Sequence, residues 1–347
     1  MKKSLIALAA LAASGAFAQV TVTGVLDAGY QITDAEGTAS DKTTIAQSGS
    51  ATTAIIITGT EDLGGGMKAG FRYEMNPDFV SGTGLSSATT GANGYNNVNL
   101  SGSFGAVEFG RLNTATLAAN GVANPFGTNV GSGYSTMTHR FPAATSSTMA
   151  TAPTRFNNAF KYATPNMSGF SAQVIYVPKN DNSTVSADKN NQGVMELGLG
   201  YANGPLAVQV AHMTIEEGSN AATEIVALGA SQKGTLTTVA GSYQVMPALK
   251  LGAAYNTTKV DGDAADATGL RLSGTYTMGA VALMATWANS DDKTTTNADR
   301  TSFGLGADYN LSAKTALYVR YENTNAKTVE TTDNKTTTTM AGLRVKF

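Results

Sequence analysis

The chain has 347 residues, of which 42% are hydrophobic and only 14% charged, with 38 glycines, no cysteine, two histidines and a formal net charge of −2. Lack of cysteine excludes a disulfide framework and thiol chemistry. His139 and His212 stand far apart in no metal-ligand pattern, no basic run suits nucleic acid, and the low charge with abundant Gly and Thr argues against a helical cytosolic enzyme.

The first 18 residues read as a secretory signal peptide. Lys2 and Lys3 precede an apolar stretch of small residues, and Ala16-Phe17-Ala18 is an A-x-A cleavage site. The domain division is therefore 1–18, signal peptide, and 19–347, one exported domain. No other apolar run approaches the roughly 18 residues a spanning helix needs.

From Val20 onward the dominant period is two. Val20, Val22, Leu26, Ala28 and Tyr30 alternate with polar or small residues, as do Met67, Ala69, Phe71, Tyr73 and Met75, and finally Ala341, Leu343, Val345 and Phe347. A soluble sandwich would alternate too. The strands, however, run about 9–11 residues, the length of a tilted membrane strand. Aromatics also gather at strand ends (Tyr30, Tyr73, Tyr162, Tyr201, Tyr255, Tyr276, Trp287, Tyr309, Tyr321), as in interfacial girdles.

Connections alternate short and long. Gly64-Gly65-Gly66, Ser103-Phe104, Asn203-Gly204-Pro205 and Leu311-Ser312-Ala313 are short; 31–50, 77–93, 112–154, 178–193, 289–300 and 325–336 are long and polar. Seventeen segments qualify as strands. Single-chain bacterial barrels have an even count, and treating 223–232 as part of a long fifth loop restores the alternation. The expectation is an all-β protein, a 16-stranded antiparallel transmembrane β-barrel with both termini periplasmic; eighteen strands is the alternative. Segment 112–154 far exceeds the usual loop length and is the candidate to fill part of the lumen.

Several stretches together resemble the Gram-negative general-diffusion porins, in particular the beta-proteobacterial type. They are Gly24-Val25-Leu26-Asp27-Ala28-Gly29, Gly59-Thr60-Glu61-Asp62-Leu63-Gly64-Gly65-Gly66-Met67-Lys68-Ala69, Leu100-Ser101-Gly102-Ser103-Phe104-Gly105, Phe109-Gly110-Arg111, Arg155-Phe156-Asn157-Asn158, Leu311-Ser312-Ala313-Lys314 and the final Phe347. The resemblance covers nearly the whole mature chain. It implies an outer-membrane location, a homotrimer and a third external loop folded into the pore. It also implies partners: outer-membrane lipid and lipopolysaccharide, small hydrophilic solutes, and an assembly machinery that reads Phe347 as its tag. Two departures stand out. The family's Ser-Arg pair before the second-strand glycines is Thr53-Ala54 here. The Asn124-Pro125-Phe126-Gly127 element of the third loop carries no acid, and neither does any residue from 112 to 154.

Such a pore does no covalent chemistry; it sieves by size and biases by charge. Residues opposite the apolar face point inward, which assigns Asp27, Lys68, Arg72, Glu74, Glu108, Arg155 and Lys161 to the lumen. By resemblance, Arg111 and Arg155 join a basic cluster facing the third loop, with Arg72 beside them and Arg140 reaching the same space from within the loop. Alternation from Val107 and Phe109 sends Arg111 toward lipid, where a charge costs about 2–4 kcal/mol, so a local bulge is expected. With no acid on the third loop, the expected function is passive diffusion with weak to moderate anion preference. The alternatives are a substrate-selective pore of the same fold, or an occluded structural or adhesive barrel. No enzyme is expected: there is no G-x-S-x-G elbow, and Gly64-x-Gly66-x-x-x-Gly70 runs into a strand rather than a helix. Neither a cofactor nor a metal is called for.

Overall fold

A computed structural model describes residues 19–36, 41–81, 94–138, 151–179, 193–216, 233–261, 266–293, 298–327 and 333–347. Residues 1–18, expected to be a signal peptide, and segment 223–232 lie outside these. The described strands are β1 (Gln19–Ala35), β2 (Lys42–Gln47), β3 (Ala54–Gly64), β4 (Met67–Met75), β5 (Asn96–Gly102), β6 (Gly105–Asn113), β7 (Arg155–Ala163), β8 (Phe170–Val177), β9 (Val194–Asn203), β10 (Leu206–Ile215), β11 (Gly234–Met246), β12 (Leu249–Val260), β13 (Ala267–Met278), β14 (Val281–Asp292), β15 (Arg300–Asn310), β16 (Thr315–Lys327) and β17 (Asp333–Lys346).

β1 pairs antiparallel with β2 and β3, each strand from β3 onward pairs antiparallel with the next, and β17 pairs with β1, so the sheet closes. Seventeen strands fill sixteen positions because β2 and β3 share one. Gln19–Val25 pairs with Ala54–Thr60, and Ala28–Thr33 pairs with Lys42–Gln47, along the same edge of β1. The result is a closed 16-stranded antiparallel barrel. Phe347 ends the chain beside the first strand, where its backbone exchanges two hydrogen bonds with Gly24.

Alternation decides which way side chains point. Val20, Val22, Leu26, Tyr30, Phe71, Val98, Phe109, Leu197, Tyr255, Leu272, Trp287, Phe303 and Leu343 are exposed on the outside, as a lipid-facing surface requires. The Gly64-Gly65-Gly66 turn works because its residues take φ of 78°, 60° and 80°, a region glycine enters without a Cβ clash.

The polar ends of the strands correct the sequence reading. β1 continues to Ala35 and Lys42–Gln47 is a strand, whereas 31–50 reads as loop; β14, β16 and β17 likewise extend into 289–300 and 325–336. Thr-rich, polar sequence looks like loop, yet β-branched threonine suits a ladder on both faces once neighbouring strands supply partners. Acids at strand ends satisfy backbone donors: Asp41 accepts from the Ala35 N–H at 2.9 Å and Asp266 from the Val260 N–H at 3.0 Å.

The second barrel position is interrupted at 48–53, between β2 and β3. There the chain folds around Asp27, which is fully buried and inward. Its carboxylate accepts from the N–H groups of Gly49 (3.1 Å), Ser50 (2.9 Å) and Ala51 (2.7 Å) and from the Tyr318 hydroxyl (2.5 Å). Asp27→Ala leaves all four donors without this acceptor and should cost on the order of 3 kcal/mol or more, with Asp27→Asn intermediate. Urea unfolding in lipid vesicles, followed through the single tryptophan, Trp287, checks this; an unchanged midpoint in Asp27→Ala would contradict it.

Candidate functional site: a lumen narrowed by the third loop

Residues 114–138 of the third loop lie against inward-facing side chains of the wall. The loop contains a helix, Ala115–Val122, and a short helix, Tyr134–Met137. An eight-residue helix is marginal alone, so its docking must stabilise it. Thr114 caps its start by accepting from the Leu117 N–H at 3.0 Å. Glu196 of β9 accepts from the N–H groups of Ala115 and Thr116, each at 2.7 Å. At the other end Arg271 of β13 donates to the Asn120 carbonyl at 2.8 Å. The wall thus presents an acid to the positive end of the helix dipole and a base to its negative end. Underneath, Ala115, Ala119 and Ala123 join Ile175, Met213, Leu236 and Ala254 in the apolar core inside the barrel.

Past the helix, the loop continues to hang from wall side chains. Ser273 donates to Ala123 O at 2.5 Å, Thr286 donates to Gly131 O at 2.5 Å, and Glu322 accepts from Gly131 and Gly133 N–H at 3.0 and 3.2 Å. Phe126 lies on the Arg320 guanidinium, 5.4 Å from ring centroid to cation. Asn124 folds the Asn124-Pro125-Phe126-Gly127 element upon itself, accepting from Phe126 N–H and donating to Gly127 O. The contact is so close at Gly304 that a Cβ there would sit 2.1 Å from Gly131 O.

The charged wall faces the rest of the lumen. Arg72 and Arg155 share Glu74, at 2.5 and 3.5 Å. Lys161 pairs with Glu108 at 2.9 Å. Tyr95 sits among them: Lys161 donates to its hydroxyl at 2.8 Å, the hydroxyl donates to Glu108, and Arg72 and Lys161 lie over its ring at 5.6 and 5.0 Å. Burial, helped by the Glu108 carboxylate, pushes the Tyr95 hydroxyl far above its ordinary pKa, so it remains a donor at physiological pH. A second group stands on β15–β17, where Arg320 and Arg344 share Asp308 at 2.6 and 3.3 Å.

The predicted residues therefore separate. Arg72, Glu74, Glu108, Arg155 and Lys161 come together. Asp27 points inward but is committed to the strand break. Lys68 is exposed beside the Gly64–Gly66 turn, six residues or roughly 20 Å along the strand from Glu74. At Arg111 the register shifts between Gly110 and Leu112, Gly110 has φ 146°, and the half-buried guanidinium donates to Asn157 of β7. Arg140 lies outside the described residues. Glu196, Arg271, Asp308, Arg320, Glu322 and Arg344 were missed. Their parity carried the signal: Arg320 alternates with outward Val319, Arg344 with outward Leu343 and Glu196 with outward Leu197. Among the described residues no group of acids and histidines is arranged to hold a metal.

A family profile described as Gram-negative porin matches residues 4–329. The chain belongs to that family. Among similar proteins, outer membrane porin protein 32 of Delftia acidovorans is 32% identical over 60% of this chain and 59% of its own length. An outer membrane porin protein of Bordetella pertussis is 28% identical over the full length of both chains. Among solved structures, an anion-selective porin from Comamonas acidovorans superposes with a TM-score of 0.77 at 23% identity, covering 95% of this chain and all of that one. A trimer form of the Vibrio cholerae outer membrane protein OmpT gives 0.66 at 16% identity, over 95% and 99%. The protein is thus an outer-membrane porin.

If the loop is seated by close approach, Gly304→Val must lift its tip from the wall. The expected outcome is a larger single-channel conductance with added open-channel noise, read in planar bilayers. Conductance equal to the wild type would show that the tip does not bound the pore.

Proposed function

We propose that this porin passes small hydrophilic solutes by passive diffusion, as a homotrimer, with a weak to moderate preference for anions. The observation that carries the preference is an imbalance in what the lumen side chains leave uncommitted. Glu74 and Asp308 each serve two arginines. Asp27, Glu196 and Glu322 are occupied by backbone N–H groups. In the Arg72–Glu74 bridge the arginine side chain is 31% exposed and the carboxylate 8%. Permeating ions therefore meet guanidinium more than carboxylate, and a low-dielectric wall amplifies that bias. The anion-selective Comamonas structure and the OmpT trimer support the same reading at the level of shared fold.

The reading extends to the parts outside the described residues. Residues 1–18 serve as a cleaved export signal, and Arg140 adds to the basic side of the constriction. Phe347, exposed at the end of the last strand, serves as the tag for the assembly machinery, and lipopolysaccharide packs around the girdle.

Purified protein in a bilayer under a KCl gradient should reverse toward the chloride equilibrium potential, with openings in triplets. Arg72→Gln and Arg155→Gln should each lower the chloride-to-potassium permeability ratio roughly two-fold. The wild-type preference should fade between 0.1 and 1 M KCl as the screening length falls from about 10 to 3 Å. Reversal toward potassium would overturn the anion preference; absence of conductance from folded protein would favour an occluded barrel.

A further inference from the structure

The interrupted strand leaves a gap in the charge of the wall. From residue 48 to residue 60 the second barrel position has no charged side chain. Yet this stretch lies between two charged groups, Arg72–Glu74–Arg155 on one side and Arg320–Asp308–Arg344 on the other. At the break, the Ser50 hydroxyl accepts from Arg344 Nη1 at 2.7 Å and from Arg320 Nη2 at 2.8 Å. Both arginines thus reach across β1 to a residue of the neighbouring position. We propose that Arg344 is a further specificity-determining residue of the pore, filling this gap with positive charge and forming, with Ser50, a contact point for small anions.

Three observations choose Arg344. First, the reachable charge is unequal. Two guanidiniums face one carboxylate, Asp308, while the nearby Asp27 keeps its negative charge but is fully buried, enclosed by three backbone N–H groups and the Tyr318 hydroxyl. Second, the two arginines are not equivalent. Arg320 is 2% exposed, flanked by Phe126 and Tyr318, and holds the loop; the Arg344 side chain is 16% exposed, more than Asp308. Third, the break is tied to the first charged group. Asn76 donates to Thr53 O at 3.0 Å and to Glu74 Oε1 at 3.5 Å, and Thr53 Oγ1 bonds the Asp27 backbone. The two arginine groups therefore belong to one connected band of the wall, along which an anion meets Arg344 as well as Arg72 and Arg155.

The inference rests on the anion-preferring pore proposed above, and its test separates the two. Arg344→Gln, Arg344→Lys and Asp308→Asn are compared with the wild type in planar bilayers under a KCl gradient. Arg344→Gln should lower the chloride-to-potassium permeability ratio about two-fold, Arg344→Lys should retain it, and Asp308→Asn should raise it. A purely structural role would loosen the loop in both the Gln and Asn variants and move selectivity the same way in each. An unchanged ratio in Arg344→Gln, or a shift toward potassium in Asp308→Asn, overturns the proposal. Should Arg344→Gln fail to insert, Arg344→Met, which keeps the aliphatic stem and removes the charge, takes its place with the same expected and overturning outcomes. A wild-type channel reversing toward potassium would instead overturn the anion preference, while the opposite shifts of the two variants would still report on Arg344.

Discussion

A backbone N–H or C=O that faces hydrocarbon without a partner costs several kcal/mol, and most of this molecule follows from avoiding that cost. The sheet closes on itself through β17 and β1, so among the described residues the ladder leaves no lipid-facing edge. The interruption at 48–53 is tolerated because the chain there folds around Asp27, whose carboxylate satisfies three of its N–H groups. The same rule governs the third loop. Its backbone is withdrawn from bulk water, and the wall supplies partners one by one: Glu196, Arg271, Ser273, Thr286 and Glu322.

This solution has an electrostatic consequence. Carboxylates are the strongest acceptors available for backbone N–H groups, and here they are used for that purpose. Asp27, Glu196 and Glu322 are structural anions, taken up by the strand break and the loop. Among the wall arginines, Arg271 and Arg320 are taken up in the same way, by the helix end and by Ala307, Val319, Ser50 and Asp308, whereas Arg72, Arg155 and Arg344 keep more of their side chains exposed. Arg72 and Arg155 divide one carboxylate, and Arg320 and Arg344 divide another. A chain with a net negative charge thereby builds a lumen whose reachable groups are biased toward the positive. Net charge describes the whole surface, whereas permeating ions respond mainly to the charges closest to their path in the narrow part.

Tyr95 illustrates how a neutral side chain organises such a wall. Its hydroxyl joins Lys161 to Glu108 and its ring carries two cations. Lys161 and Glu108 neutralise one another across it, leaving Arg72 as the more exposed charge. The parity of neighbouring strands gave no hint of this residue, because it precedes β5 and alternation says nothing of side chains outside strands.

Period-two alternation over about ten residues, short turns against long polar connections, and the girdle aromatics were enough to determine a barrel, which an even strand count made sixteen with eighteen left open, and to point Arg72, Glu74, Glu108, Arg155 and Lys161 inward, because side-chain direction in a strand is a local property of the backbone. Resemblance of a few motifs to porins sufficed for the family. What alternation could not decide was everything that depends on partners distant in the chain. The break at 48–53 exists because Asp27 and Tyr318, 291 residues apart, meet there. The register shift at Gly110 redirects Arg111 toward Asn157. Inward Glu196 and Arg271 look like pore charges in sequence, and only the docked helix turns them into its two end caps. Local periodicity determined which residues face the lumen; the tertiary structure alone decided which charges remain free there, because that depends on how many hydrogen bonds each one has already made.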